Sequence, residues 1–257
     1  MHAIDPQEAL VPIFVESRDS GRIQQVGTGI FLELQEKPFL FTAAHVTDTM
    51  HSGQLMVPNS DGLVEIEGYM ACVDLPPEEN REDDPIDIAY YRLSTNFAKS
   101  MLAHFKPLPQ SRCEIIRSAL DLGICSIYGY PVSKARQNGD HFSSETASYR
   151  GVVAEERTYQ ELGLFADSSI VVHFKKKNAI SSESGKKINP LSPRGVSGGG
   201  IFAWPESHEL SNDWSLTRLV GIFHTYKESK GLMIGTHLAP LIAAIQLGQM
   251  KDFGGIE

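Results

Sequence analysis

Nine short apolar, β-branched or aromatic stretches, each four to seven residues long, recur between glycine, proline and polar turn residues. They cover residues 10–16, 29–34, 39–43, 63–69, 88–93, 124–128, 170–174, 201–204 and 219–224. Runs this short cannot carry the 3.6-residue apolar period that a helix of ten or more residues needs. Many short strands at this spacing predict an all-β sandwich or barrel rather than an alternating β/α sheet. Residues 10–16 alternate imperfectly, and Pro12 among them suits a strand start or an edge. Helical spacing is confined to two segments. In 95–105 the apolar positions are Phe97, Met101, Leu102 and Phe105, with a cap available from Ser94-Thr95-Asn96. In 237–250 a stripe of Leu238, Leu241, Ile242, Ile245 and Leu247 predicts a C-terminal helix, with Pro240 tolerable in its first turn. His237 is expected to cap that helix or lie on the surface.

The chain has 257 residues, enough to bury a substantial core in one large domain or two small ones. Its 23 Lys and Arg against 32 Asp and Glu leave a net charge of −9. That balance argues against a nucleic-acid-coating protein, which needs a basic face to displace phosphate counterions. No run approaches the roughly 18 apolar residues of a membrane span. Residues 1–19 show no basic start followed by an apolar stretch, so no secretory signal is expected. The three cysteines, Cys72, Cys113 and Cys125, fit neither a disulfide framework nor a CxxC metal knuckle. They are expected as free thiols of a cytoplasmic protein with no metal and no cofactor. Two polar stretches read as surface loops: the acidic 76–85 and the lysine-rich 175–194. The second could attract acidic substrates or a partner, or order over the site on binding.

Three segments carry chemistry together. Gly27-Thr28-Gly29 and Thr42-Ala43-Ala44-His45 read as a hairpin whose second strand ends in a histidine. Asp87 heads the short apolar run Ile88-Ala89-Tyr90-Tyr91-Arg92-Leu93. Gly195-Val196-Ser197-Gly198-Gly199-Gly200 is a glycine loop around one serine. A serine hydroxyl is a weak nucleophile until a base takes its proton. Neutral imidazole suits that task because its unperturbed pKa is about 6.5, so activity is expected to rise through the titration of His45. A carboxylate on the other ring nitrogen fixes the tautomer. The glycines let the Gly195 and Ser197 N–H groups converge on a developing oxyanion.

In this order, with these contexts, the residues resemble the chymotrypsin-like (trypsin-like) serine peptidase family. Gly129-Tyr130-Pro131 and Leu219-Val220-Gly221-Ile222 add to the likeness, which extends from about Val11 to Ile245. The resemblance implies two antiparallel six-stranded β-barrels with a C-terminal helix. They would span 8–110, carrying His45 and Asp87, and 111–257, carrying Ser197. It implies a serine endopeptidase in which Ser197 attacks, His45 shuttles the proton and Asp87 orients His45. The backbone amides of Gly195 and Ser197 would form the oxyanion hole. Asp83 and Asp84 are alternative acids, less well placed because Pro85 separates them from the strand. Secreted members carry an acid just before the nucleophile; Val196 stands there, so activation by an ion pair to a new amino terminus is not expected. Leu191 lies where trypsin-type members place the acid at the base of the primary pocket, which disfavours Lys or Arg. His224 and Thr225 are candidates to line that pocket, but the register of 219–226 can instead turn His224 toward the carboxylate.

Two rivals remain at this stage. An α/β-hydrolase would use Ser197 with Asp213 and His237, but it needs strand–helix alternation before the serine. A non-catalytic module, or an enzyme latent until a partner protein activates it, would keep the fold without the activity. The expected partners are a protein or peptide substrate, with neither nucleic acid nor membrane.

Overall fold

A computed structural model of the chain describes residues 5–72, 75, 78, 80–81, 84–138, 141–179, 186–239, 242 and 245. The first half holds β1 (Leu10–Ser17), β2 (Ile23–Leu34), β3 (Lys37–Thr42), α1 (Ala44–Asp48), β4 (Gly53–Asn59), β5 (Gly62–Glu65), β6 (Gly68–Cys72), β7 (Ala89–Leu93), α2 (Thr95–Met101) and β8 (Leu108–Pro109). The second holds β9 (Ile124–Gly129), β10 (Arg136–Asn138), β11 (His141–Ser143), β12 (Ala147–Val153), α3 (Glu156–Leu162), β13 (Ser169–His173), β14 (Gly200–Ala203), β15 (Arg218–Lys227) and β16 (Leu232–His237).

In the second half, strands β12-β13-β16-β15-β14-β9 close into a hydrogen-bonded barrel. In the first half the order is β5-β4-β1-β2-β3-β7-β6, with β8 added parallel to β2. The end strands β5 and β6 are joined in sequence by only Ile66 and Glu67, so covalent connection closes this ring. The predicted strand 63–69 is therefore broken at its middle. There the Ile66 N–H donates to the Leu55 carbonyl and the Ser94 N–H to the Glu67 carbonyl. With β5 and β6 taken as one bent strand, the ring has six members.

Three apolar cores explain why the strands read as near-continuous apolar runs. Side chains alternate along a strand, and here both faces are covered. Val11, Ile13, Phe31 and Leu40 fill the first barrel. Their neighbours Leu10, Ile30, Leu32, Phe39 and Phe41 pack against Tyr128, Phe202, Leu219 and Ile222 of the second half. Cys125, Ile127, Val172, Val196, Ile201 and Phe223 fill the second barrel. Truncating one such buried side chain to alanine typically costs about 2–5 kcal/mol.

The helices differ from expectation in detail. Ser94 caps α2 by accepting from the Phe97 N–H, as the sequence suggests. The helix stops at Met101, however, and Leu102 is exposed. His237 does not start a helix. It ends β16 and is fully buried. Ala239, Ile242 and Ile245 are helical, Leu238, Ile242 and Ile245 pack into the core between the barrels, and residues 240–241, 243–244 and 246–250 lie outside the described residues. No disulfide joins Cys72, Cys113 and Cys125. Among the described residues no helix is long and apolar enough to cross a membrane.

Candidate active site

The site forms where the two halves meet. His45 is the second residue of α1, just past the end of β3. The first N–H groups of any helix lack partners within it. Asp87 supplies one: its Oδ1 accepts from the His45 backbone N–H at 2.8 Å. Its Oδ2 lies 2.5 Å from His45 Nδ1. One carboxylate thus grips both the main chain and the ring of His45, which fixes the imidazole's direction and favours the tautomer with the proton on Nδ1. Asp87 is nearly buried, whereas the His45 side chain is 38% exposed. Burial opposes ionisation of Asp87, but the hydrogen bonds and charge of His45, with the charge of His224, outweigh it. They hold the carboxyl below its usual range.

The loop before Asp87 is shaped by the alternative acid. Asp84 Oδ1 accepts from the Ile86 N–H, a local turn typical of aspartate, and Asp84 Oδ2 pairs with Arg81 at 2.8 Å. Arg81 also reaches Asp48 at the end of α1. Asp84 is therefore engaged away from the imidazole. Asp83 lies outside the described residues.

Ser197 sits on two overlapping turns. The Val196 N–H donates to Pro193 O, and the Gly199 N–H donates to Val196 O. The third residues of these turns are Gly195 and Gly198, at φ +90° and +87°. Type II turns need glycine at that position because a Cβ disfavours positive φ. A Cβ on Gly198 would also come within 2.0 Å of Thr28 O. Val196 is fully buried in the core of the second barrel. Among the described residues, no acceptor is recorded for the N–H of Gly195 or of Ser197. Ser197 Oγ donates to the His224 carbonyl at 3.0 Å, and no bond to His45 is present.

Thr28 locks this loop to the first barrel. Its N–H donates to Ser197 O at 2.8 Å and its Oγ1 donates to Gly195 O at 3.0 Å. The same Oγ1 accepts from the Tyr130 N–H, and Thr28 O accepts from Thr42 Oγ1. Sequence reasoning did not single out Thr28. The available signal was its place between two glycines in the segment leading to His45.

His224 is brought against Asp87. Between Phe223 and Thr225 the β15–β16 register slips by one, leaving His224 as the extra residue of a bulge. Its Nδ1 lies 2.9 Å from Thr225 Oγ1 and 3.9 Å from Asp87 Oδ2, while its buried Nε2 has no partner among the described residues. Burial pushes its pKa down to about 4 despite Asp87, so the ring is neutral at physiological pH. This buried ring lies beside the carboxylate, with the Thr225 hydroxyl against its Nδ1. Leu191 is half-buried on the approach to Gly195. Asp213 caps an exposed turn by accepting from the Ser215 N–H. The all-β topology leaves no strand-to-helix elbow for an α/β-hydrolase.

No protein-family profile matches the chain, and no curated protein does. Solved structures do. The chain is similar to neuropsin, a serine protease of mouse brain, over 96% of this chain and 97% of that one, at TM-score 0.55 and 15% identity. A mutant of the tobacco etch virus protease matches over 95% of this chain and 79% of its own, at TM-score 0.51 and 12% identity. The serine protease domain of the Sesbania mosaic virus polyprotein matches over 92% and 91%, at 0.49 and 14%. With one half closed by hydrogen bonds and the other by a two-residue link, the chain has the two-barrel fold of the chymotrypsin-like proteases.

Proposed function

We propose that the chain is a serine endopeptidase that cleaves peptide bonds through an acyl-enzyme. The supporting observation is the grip of Asp87 on both the ring and the backbone of His45, opposite a serine held on a glycine double turn. In this reading His45 Nε2 accepts the Ser197 proton as Oγ attacks the scissile carbonyl. Asp87 holds the tautomer and stabilises the imidazolium. The Gly195 and Ser197 N–H groups receive the oxyanion; one such donor typically contributes about 3 kcal/mol. His45 then returns the proton to the leaving amine, and water releases the acyl group by the same route. Leu191 at the base of the primary pocket disfavours basic side chains there. The cellular setting proposed is the cytoplasm.

The bond from Ser197 Oγ to the His224 carbonyl favours a second reading for the resting state. The hydroxyl must swing to His45 before reaction, and a partner protein that orders the surrounding loops is the proposed trigger. Hydrogen bonds at such sites often tighten only when substrate arrives. Labelling of the purified protein by a fluorophosphonate, with Ser197→Ala as control, tests the first reading. Label on the wild type that is absent from the variant supports the peptidase. A folded wild type that stays unlabelled, and remains so with cell lysate added, overturns it.

A further inference from the structure

Charge is unevenly placed on this chain. Residues 173–194 and 227–230 hold eight Lys and Arg and two Glu, a net of 8 − 2 = +6. The rest of the chain therefore carries −9 − 6 = −15. The described parts of these segments meet each other and lead toward the nucleophile loop. Lys175, Lys176 and Lys177 follow β13, Lys227 ends β15, and Lys230 lies on the turn between β15 and β16. The two segments touch: the Phe174 N–H donates to Gly231 O at 2.7 Å, and Tyr226 OH reaches Phe174 O. A Cβ on Gly231 would come within 2.6 Å of Lys175 Cγ. Tyr149 stacks edge-on against Phe174 and donates to Ser192 O, tying both to the segment that enters the nucleophile loop. That segment carries Arg194, three residues before Ser197. Lys227 is three residues beyond His224, whose carbonyl holds Ser197 Oγ.

Lys175, Lys177, Arg194, Lys227 and Lys230 are exposed, and Lys176 is half-buried. Among the described residues no carboxylate pairs with any of these six. An uncompensated group of cations beside a cleft raises the local concentration of anions and steers them in. We infer that this basic lip takes an acidic peptide segment, so that the substrate carries Asp or Glu side chains beside its scissile bond. The inference rests on the peptidase reading of Ser197. A short acidic peptide fits better than a nucleic acid. A long polyanion overruns the lip and meets the carboxylate-rich remainder, whereas a few side-chain carboxylates stay on it.

The test is fluorescence anisotropy on the full chain carrying Ser197→Ala, which removes turnover. The probes are three labelled peptides of equal length, rich in Glu, Gln or Lys, and a single-stranded oligonucleotide longer than the lip. The Glu peptide is expected to bind at least roughly tenfold tighter than the Gln peptide at low ionic strength, the lower end of what charge steering supplies, and to lose that advantage in high salt. Lys175→Glu, Lys177→Glu, Lys227→Glu and Lys230→Glu together should abolish the preference. The same four positions changed to Gln, checked for an unchanged melting temperature, guard against misfolding and should weaken it. Equal binding of Glu and Gln peptides, indifference to both variants, or an oligonucleotide that binds as tightly as the Glu peptide would overturn the proposal. Because the assay never uses the Ser197 hydroxyl, its failure is separate from failure of fluorophosphonate labelling, which tests the peptidase reading.

Discussion

The two halves of the site are built to different degrees of completion. The half on the first barrel is already assembled: Asp87 makes two bonds to His45, one to the ring and one to the backbone. The half on the second barrel has its turns set, but its hydroxyl is turned to the His224 carbonyl. The barrels differ in parallel. The second is a closed hydrogen-bonded ring, while the first is an open path completed by Ile66 and Glu67. The base is fixed by a carboxylate within its own barrel. The nucleophile loop is fixed across the interface, by Thr28 of the other barrel. Orientation of the base is thus a local property, whereas placement of the nucleophile depends on how the barrels dock.

Four changes probe that contrast, from the largest effect to the smallest. Asp87→Asn breaks the local half. In a working triad it should lower kcat by about 10⁴-fold with little change in KM, since the wrong imidazole tautomer is then favoured. Steady-state kinetics on a cleavable peptide would show this, and a loss under tenfold would mean His45 is not oriented by Asp87. Gly198→Ala breaks the docked half. Its Cβ meets Thr28 O at 2.0 Å on a backbone at positive φ, so a loss of at least about 3 kcal/mol in urea unfolding is expected. An unchanged midpoint would sink the claim that this turn sets the interface.

The third is a pH effect between the halves. The pKa of His224 in the folded chain, about 4, lies below its unfolded value near 6.5. The unfolded chain therefore takes up the proton first, and stability falls as pH drops from about 6.5 toward 4. Fully expressed, the loss is on the order of 3 kcal/mol. Asp87, held below its usual pKa, adds a further loss as pH falls through its folded value. His224→Gln should flatten the upper part of this fall. Melting curves across pH that superimpose for the two proteins would contradict it. The mildest change is Thr28→Val, which removes the hydroxyl shared by Gly195 O and the Tyr130 N–H. About 1–2 kcal/mol of stability should be lost, with hydrolysis reduced more than in a surface Thr→Val control. Equal effects in both variants would show that the loop does not depend on the docked barrel.

Much of this was legible in the sequence because each motif is local. Small residues precede His45, Asp87 heads an apolar strand, and glycines surround Ser197. The short apolar runs of β1 to β3 announced strands, and their packing shows that both faces are covered. What stayed hidden depends on pairing at a distance. Strand β12 contains Ser148, Arg150 and Gly151 and becomes a strand only by pairing with β9. Strand β16 ends in His237, which reads as a helix start until its partners β13 and β15 bury it. The bulge at His224 is a mismatch between two strands, so neither strand alone can reveal it. Thr28 acts through bonds to residues more than a hundred positions away.

The central claim is that His45 delivers Ser197 as a nucleophile. The most direct measurement is rapid-quench intact-mass analysis with a slowly deacylating activated ester, comparing wild type with His45→Ala. The account predicts one acyl group per chain, mapped to Ser197, forming at least about 10³-fold faster in the wild type than in the variant. Acylation elsewhere, or at equal rates in both proteins, would contradict it.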